Sequence, residues 1–123
     1  MPVSAVLVDD HALFRGGLRT VLEDHGVHVV GEAGDGERGV ELAAELAPDV
    51  VAMDLHMPGI GGVEATRRIV ALGGPTRVLV LTISSDERAI AEAMRAGATA
   101  CVIKDAPVDE LAAAVVAAAR PSA

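Results

Sequence analysis

Strand-like and helix-like stretches alternate five times along these 123 residues, and the strand-like ones are short, dense apolar runs. Residues 4–8, 27–32, 49–53, 77–81 and 100–103 read as strands. Between and after them lie segments of about ten residues with apolar positions at helical spacing. Strands joined by single helices imply βαβ units, right-handed crossovers and a parallel sheet. The first, third and fourth runs are almost wholly apolar, as strands covered on both faces must be. The second is interrupted by His28 and Glu32, which suits an edge strand with one side in water.

The helical segments carry their own start and stop signals. Residues 12–25 place Phe14, Leu18, Val21 and Leu22 on one face. Gly16-Gly17 weakens that helix by about 1 kcal/mol per glycine relative to alanine. Gly34-Asp35-Gly36 is a turn, and the helix from Glu37 to Leu46 must stop before Pro48. The stretch Met57-Pro58-Gly59-Ile60-Gly61-Gly62 reads as a loop. Val63 to Leu72 is a helix ended by Gly73-Gly74-Pro75. Ser85-Asp86-Glu87 opens the fourth helix, which carries Ile90 and Met94 and ends at Gly97. The last helix begins near Pro107, with Asp109 and Glu110 at its positive end and Leu111, Val115 and Ala118 facing inward.

Four of the apolar runs end on residues that can handle a phosphoryl group. Val6-Leu7-Val8 leads into Asp9-Asp10, and Val50-Val51-Ala52-Met53 into Asp54. Val78-Leu79-Val80-Leu81 leads into Thr82, and Cys101-Val102-Ile103 into Lys104, the only lysine. In an open parallel sheet, strand ends of one polarity share an edge, and ligands bind there. Three carboxylates, a hydroxyl and an ammonium at one edge suit a divalent cation and a transferable phosphate. Taken singly, each residue has a plainer reading. Asp9-Asp10 is also an N-cap pair, Asp54 a turn acid, Thr82 a strand-end cap and Lys104 a solvated lysine. Their joint occurrence at the ends of different strands favours the functional reading.

Composition removes several alternatives. Ten basic against eighteen acidic residues give a net charge of −8, which opposes direct binding of nucleic acid by this domain. With no Trp or Tyr, and Phe14 as the only aromatic residue, there is no base-stacking platform. No apolar run approaches the roughly 20 residues of a membrane span, and the N-terminus does not read as a signal peptide. The single Cys101 cannot form an internal disulfide, which fits a reducing cytoplasm. No phosphate loop or dinucleotide fingerprint is present, and His11, His25, His28 and His56 lack paired zinc-ligand spacing. Residues 1–120 read as one domain and 121–123 as the start of a linker or tail.

Val8-Asp9-Asp10-His11, Met53-Asp54-Leu55-His56-Met57-Pro58-Gly59, Leu81-Thr82 and Val102-Ile103-Lys104-Asp105 together resemble the receiver domain of bacterial two-component response regulators. The resemblance runs the length of the chain. Gly31-Glu32-Ala33, Asp35-Gly36 and Lys104-Asp105-Ala106 are similar to the NarL/FixJ subfamily, whose receivers precede a LuxR-type helix-turn-helix domain. The resemblance implies a doubly wound α/β domain with a five-stranded parallel sheet, flavodoxin-like order 2-1-3-4-5 and five helices. It implies that Asp54 is the phosphoacceptor, loaded from a phosphohistidine on a sensor histidine kinase. Asp10, Asp9 through water, Asp54 and the backbone carbonyl of His56 would hold Mg²⁺. Thr82 and Lys104 would each hold a phosphoryl oxygen. A cytoplasmic switch with slow self-catalysis follows, which homodimerises on phosphorylation and controls transcription through a domain outside this sequence.

The chain departs from that family three residues before the lysine, where receivers usually carry Tyr or Phe and Cys101 stands here. The reading is a small buried strand residue and a switch that runs without an aromatic rotor. Two rivals are weaker. A phosphatase with an aspartyl-phosphate intermediate would carry Asp-x-Asp after the first strand, where this chain has adjacent acids. A phosphate-independent interaction module has no reason to keep all five site positions.

Overall fold

A computed structural model of the protein describes residues 2–83 and 86–119. Five strands alternate with five helices. They are β1 (Ser4–Val8), α1 (Ala12–Asp24), β2 (His28–Ala33), α2 (Gly36–Leu46), β3 (Val50–Asp54), α3 (Gly61–Ala71), β4 (Arg77–Thr82), α4 (Glu87–Arg95), β5 (Ala100–Ile103) and α5 (Val108–Ala119). The strands form one sheet in the order β2-β1-β3-β4-β5, and every neighbouring pair is parallel. This is the doubly wound order expected, with β2 and β5 at the edges.

Alternation along each strand splits the apolar residues between two cores. Ala5, Leu7, Val50, Ala52, Leu79 and Leu81 meet Leu18 and Leu22 of α1 and Leu111 and Val115 of α5 on one face. Val6, Val8, Val51, Met53, Val78 and Val80 meet Leu42, Ala65, Ile69 and Ala93 of α2, α3 and α4 on the other. The three central strands are apolar except at their ends because neither face reaches water. Phe14 and Val21 flank the buried stripe of α1 and are half-buried.

Several boundaries differ from the sequence reading by a residue or two. β3 and β4 each run one residue further, so that Asp54 and Thr82 are the last residues of their strands. α3 starts at Gly61, inside the stretch read as loop, because Gly61 takes a left-handed φ of 77° and Gly62 has no side chain to obstruct the entry. α2 ends as expected before Pro48, with Ala47 as a left-handed C-cap at φ 44° whose amide donates to the Ala43 carbonyl. α4 is shorter than its 84–97 span, beginning after Asp86, whose carboxylate accepts from the amides of Arg88 and Ala89 at 3.2 Å. Ser85, read as part of that start, and the tail 121–123 lie outside the described residues. Among the described residues, no helix is long and apolar enough to cross a membrane.

Candidate functional site

The C-terminal ends of β1, β3, β4 and β5 bring all five residues singled out from the sequence to one edge of the sheet. Register explains why. Val8 lies beside Met53, Asp54 beside Leu81 and Thr82 beside Ile103, so the strands end nearly level. Backbone hydrogen bonds carry the match past the strand ends. The Asp9 amide donates to the Ala33 carbonyl at 3.0 Å, Leu55 to Leu81 at 2.9 Å and Lys104 to Thr82 at 2.8 Å.

Asp9, Asp54 and Thr82 are almost completely buried, whereas Asp10 remains partly open to solvent. Asp9 does not cap α1 by a side-chain bond to the helix interior. Its Oδ1 accepts from the His11 amide at 2.8 Å, and His11 is the N-cap residue. Asp54 makes the same tight turn, with Oδ1 accepting from the His56 amide at 3.1 Å. The other oxygen of each carboxylate faces Lys104. Its Nζ is 2.7 Å from Asp9 Oδ2 and 3.7 Å from Asp54 Oδ2. Lys104 is thus no solvated lysine, since only 7% of its side chain is exposed. The Nζ also sits 4.3 Å from the centroid of the Phe14 ring, a cation–π contact.

Carboxylate oxygens of Asp9, Asp10 and Asp54 and a ring nitrogen of His11 lie within 4.8 Å of one another. Burial pushes the Asp54 carboxyl above the usual carboxylate range. The His56 amide and Lys104 pull it back, and Asp9 and Asp10 add to the rise. Three carboxylates against one ammonium leave two negative charges, the complement of a divalent cation. The hard oxygen donors, one of them open to water, suit Mg²⁺, which binds few carboxylates and keeps waters. The chemistry of the donor set therefore fits a metal of that kind.

Thr82 Oγ1 is 3.4 Å from His56 Nε2, and His11 lies against the acids, so two exposed histidines flank the site. Cys101 lies in β5 opposite Val80 and packs against the core of the α3–α4 face, but it is half-buried rather than buried because β5 is an edge strand. Burial pushes its thiol up, which disfavours the reactive thiolate and agrees with a packing role.

Two contributors escaped the sequence reading. Phe14 counted only as part of an apolar stripe, yet its place one turn into α1 puts its ring against Lys104. Gly62 looked like one more loop glycine. A Cβ there would stand 2.2 Å from the Asp54 carbonyl oxygen and 2.6 Å from Leu55 Cα, so α3 can press on the end of β3 only because position 62 is glycine.

Comparison with known proteins agrees with this fold. A family model described as the response regulator receiver domain matches residues 5–116. The response regulator UvrY of Escherichia coli (strain K12) is 43% identical over 114 residues, covering 92% of this chain and 52% of that protein. The transcriptional regulatory protein LiaR of Bacillus subtilis (strain 168) is 40% identical over 119 residues, covering 96% of this chain and 56% of that protein. The chain therefore spans about half the length of these relatives. Among solved structures, a two-component response regulator of the LuxR family from Aurantimonas sp. SI85-9A1 superposes with a TM-score of 0.90. It is 38% identical, over 97% of this chain and 86% of that one. With the family model over residues 5–116, the sequence identities and the fold in agreement, the chain belongs to the response regulator receiver domain family, in its NarL/LuxR branch.

Proposed function

We propose that Asp54 accepts a phosphoryl group from the phosphohistidine of a sensor histidine kinase, and that Asp9, Asp10, Asp54 and the His56 carbonyl hold Mg²⁺ while it does so. The observation that carries this reading is Lys104 Nζ, buried between the free oxygens of Asp9 and Asp54 at the edge where β4 also ends. An Asp54 oxygen attacks phosphorus, the P–N bond to the donor imidazole breaks, and its electron pair returns to that nitrogen. Transfer of this kind passes through a loose, metaphosphate-like state, so positioning and charge neutralisation supply most of the catalysis. When bound, Mg²⁺ neutralises charge on the phosphoryl oxygens. Lys104 exchanges a carboxylate for one phosphoryl oxygen, with the Phe14 ring as the floor of its movement. Thr82 exchanges its His56 contact for another.

Movement of Thr82 and Lys104 then biases the face built from α4, β5 and α5, and the domain homodimerises. In its whole protein, in the cytoplasm, this domain governs transcription through a helix-turn-helix output domain. UvrY and LiaR, of which the chain spans about half, are named as a response regulator and a transcriptional regulator and support that context. Incubation with acetyl phosphate and Mg²⁺ followed by mass spectrometry tests the acceptor. The wild type gains one labile phosphate and Asp54→Asn gains none. Equal labelling of both proteins sinks the assignment.

A further inference from the structure

Glu32 interrupts the apolar run of β2 and reads from sequence as the solvated side of an edge strand. The structure gives it two partners. Its Oε1 accepts from Arg15 Nε at 2.9 Å and its Oε2 from Arg19 Nη1 at 2.5 Å. Arg15 then reaches past Glu32, and its Nη1 donates to the backbone carbonyl of Asp9. One planar guanidinium thus bridges a carboxylate on the edge strand and the main chain of the first acid in the site, with its donors held in a fixed fork. Arg15 and Glu32 are each about a quarter exposed or less, and Arg19 is the outermost member. Burial alone would push Glu32 up, but the hydrogen bonds from Arg19 and Arg15 hold it below the usual range, so it stays ionised and keeps the network closed.

This matters because the Asp9-Asp10 peptide belongs to neither a strand nor a helix. It lies between the end of β1 and the start of α1. The Asp9 amide is tied to Ala33 on β2, and the carbonyl is tied by Arg15, whose own anchor is again β2 through Glu32. Both ends of the residue are therefore referenced to the edge strand. The Asp9 side chain is held by the His11 amide and Lys104, while Asp10 pairs, among the described residues, with His11 at 3.3 Å. The orientation of Asp10 follows from the peptide that Arg15 holds.

We infer that Arg15, locked by Glu32, is a positioning residue that sets the Asp9-Asp10 turn for the divalent cation. The inference rests on the metal-binding reading above. It acts by geometry, since Arg15 and Glu32 touch no carboxylate of the cluster. Partners that orient metal ligands from outside typically change metal affinity by about 10–100-fold when altered. Partly exposed ion pairs of this kind contribute little to global stability, so the two effects separate.

The test uses Arg15→Lys, which keeps the charge but loses the fork, and Glu32→Gln, which keeps the shape but loses the anchor. Asp10→Asn is the reference. Amide NMR follows a Mg²⁺ titration of each protein, and thermal melts in EDTA follow the apo fold. Half-saturation should rise at least about tenfold in Arg15→Lys and Glu32→Gln, with apo melting near wild type. Saturating Mg²⁺ should restore acetyl phosphate labelling of Asp54. Wild-type half-saturation in either folded variant, with Asp10→Asn weakened, overturns the positioning role. If wild type and Asp10→Asn bind Mg²⁺ alike, the metal assignment itself falls, and this inference with it.

Discussion

Replacing Lys104 with Met removes the ammonium that pairs with Asp9 and Asp54 while keeping the aliphatic stem against Phe14. At an effective dielectric near 20, attraction across 2.7 Å to Asp9 is about 6 kcal/mol and across 3.7 Å to Asp54 about 4.5 kcal/mol. Those gross terms are largely offset by the cost of taking the ammonium out of water. Removing one partner of a buried pair leaves the other uncompensated, and the net loss is about 3–5 kcal/mol. For a domain of this length that is a fall in melting temperature of roughly 12–20 °C. The loss should be largest in EDTA and shrink when Mg²⁺ supplies the missing positive charge.

It should also depend on pH, with a definite sign. Asp54 already sits above the usual range, chiefly through burial, and Lys104 is one of the groups pulling it down. Without Lys104 it rises further. The folded variant then binds that proton more tightly than the unfolded chain, so its stability falls as pH rises through the raised value and recovers on acidification. Urea unfolding followed by far-UV circular dichroism, in EDTA at pH 7 and pH 5, measures both effects. A loss below about 1 kcal/mol at pH 7, or a deficit unchanged at pH 5, refutes the reasoning.

Gly62→Ala forces a Cβ onto the Asp54 carbonyl and Leu55, both main chain. It should cost more than about 3 kcal/mol and lower acetyl phosphate labelling in whatever remains folded, and denaturant melts with near wild-type midpoints would contradict the packing argument. Gly16→Ala and Gly17→Ala go the other way, because a Cβ at either site meets nothing within 4 Å on an exposed turn of α1. Each should add about 1 kcal/mol, or about 4 °C in melting temperature, and calorimetry showing no gain would place a backbone demand at those positions. Light scattering with and without a phosphate mimic should show a mass increase. A gel shift at low salt should show no DNA binding by the domain alone, given its net charge of −8. An unchanged mass removes the dimer, and a shifted band removes the claim about DNA.

The alternation of strands and helices was legible in the sequence because burial on both faces demands unbroken apolar runs, and helices announce themselves by period, cap and glycine. The acids, Thr82 and Lys104 were legible because they follow such runs, and neighbouring parallel strands in register end nearly level. Even the edge position of β2 was written in His28 and Glu32. The partners of those residues were not. That Lys104 is buried between Asp9 and Asp54, over Phe14, depends on sheet twist and on rotamers chosen across three separate elements. That Gly62 must be glycine depends on how closely α3 presses on β3, a distance no local pattern carries. Glu32 shows the division most plainly. Its charge revealed an edge, but only the packing of α1 against β2 turned that charge toward Arg15 and, through it, toward the main chain of Asp9. Sequence periodicity records which side of an element meets water; it does not record which neighbour arrives there, because that is decided by contacts between residues far apart in the chain.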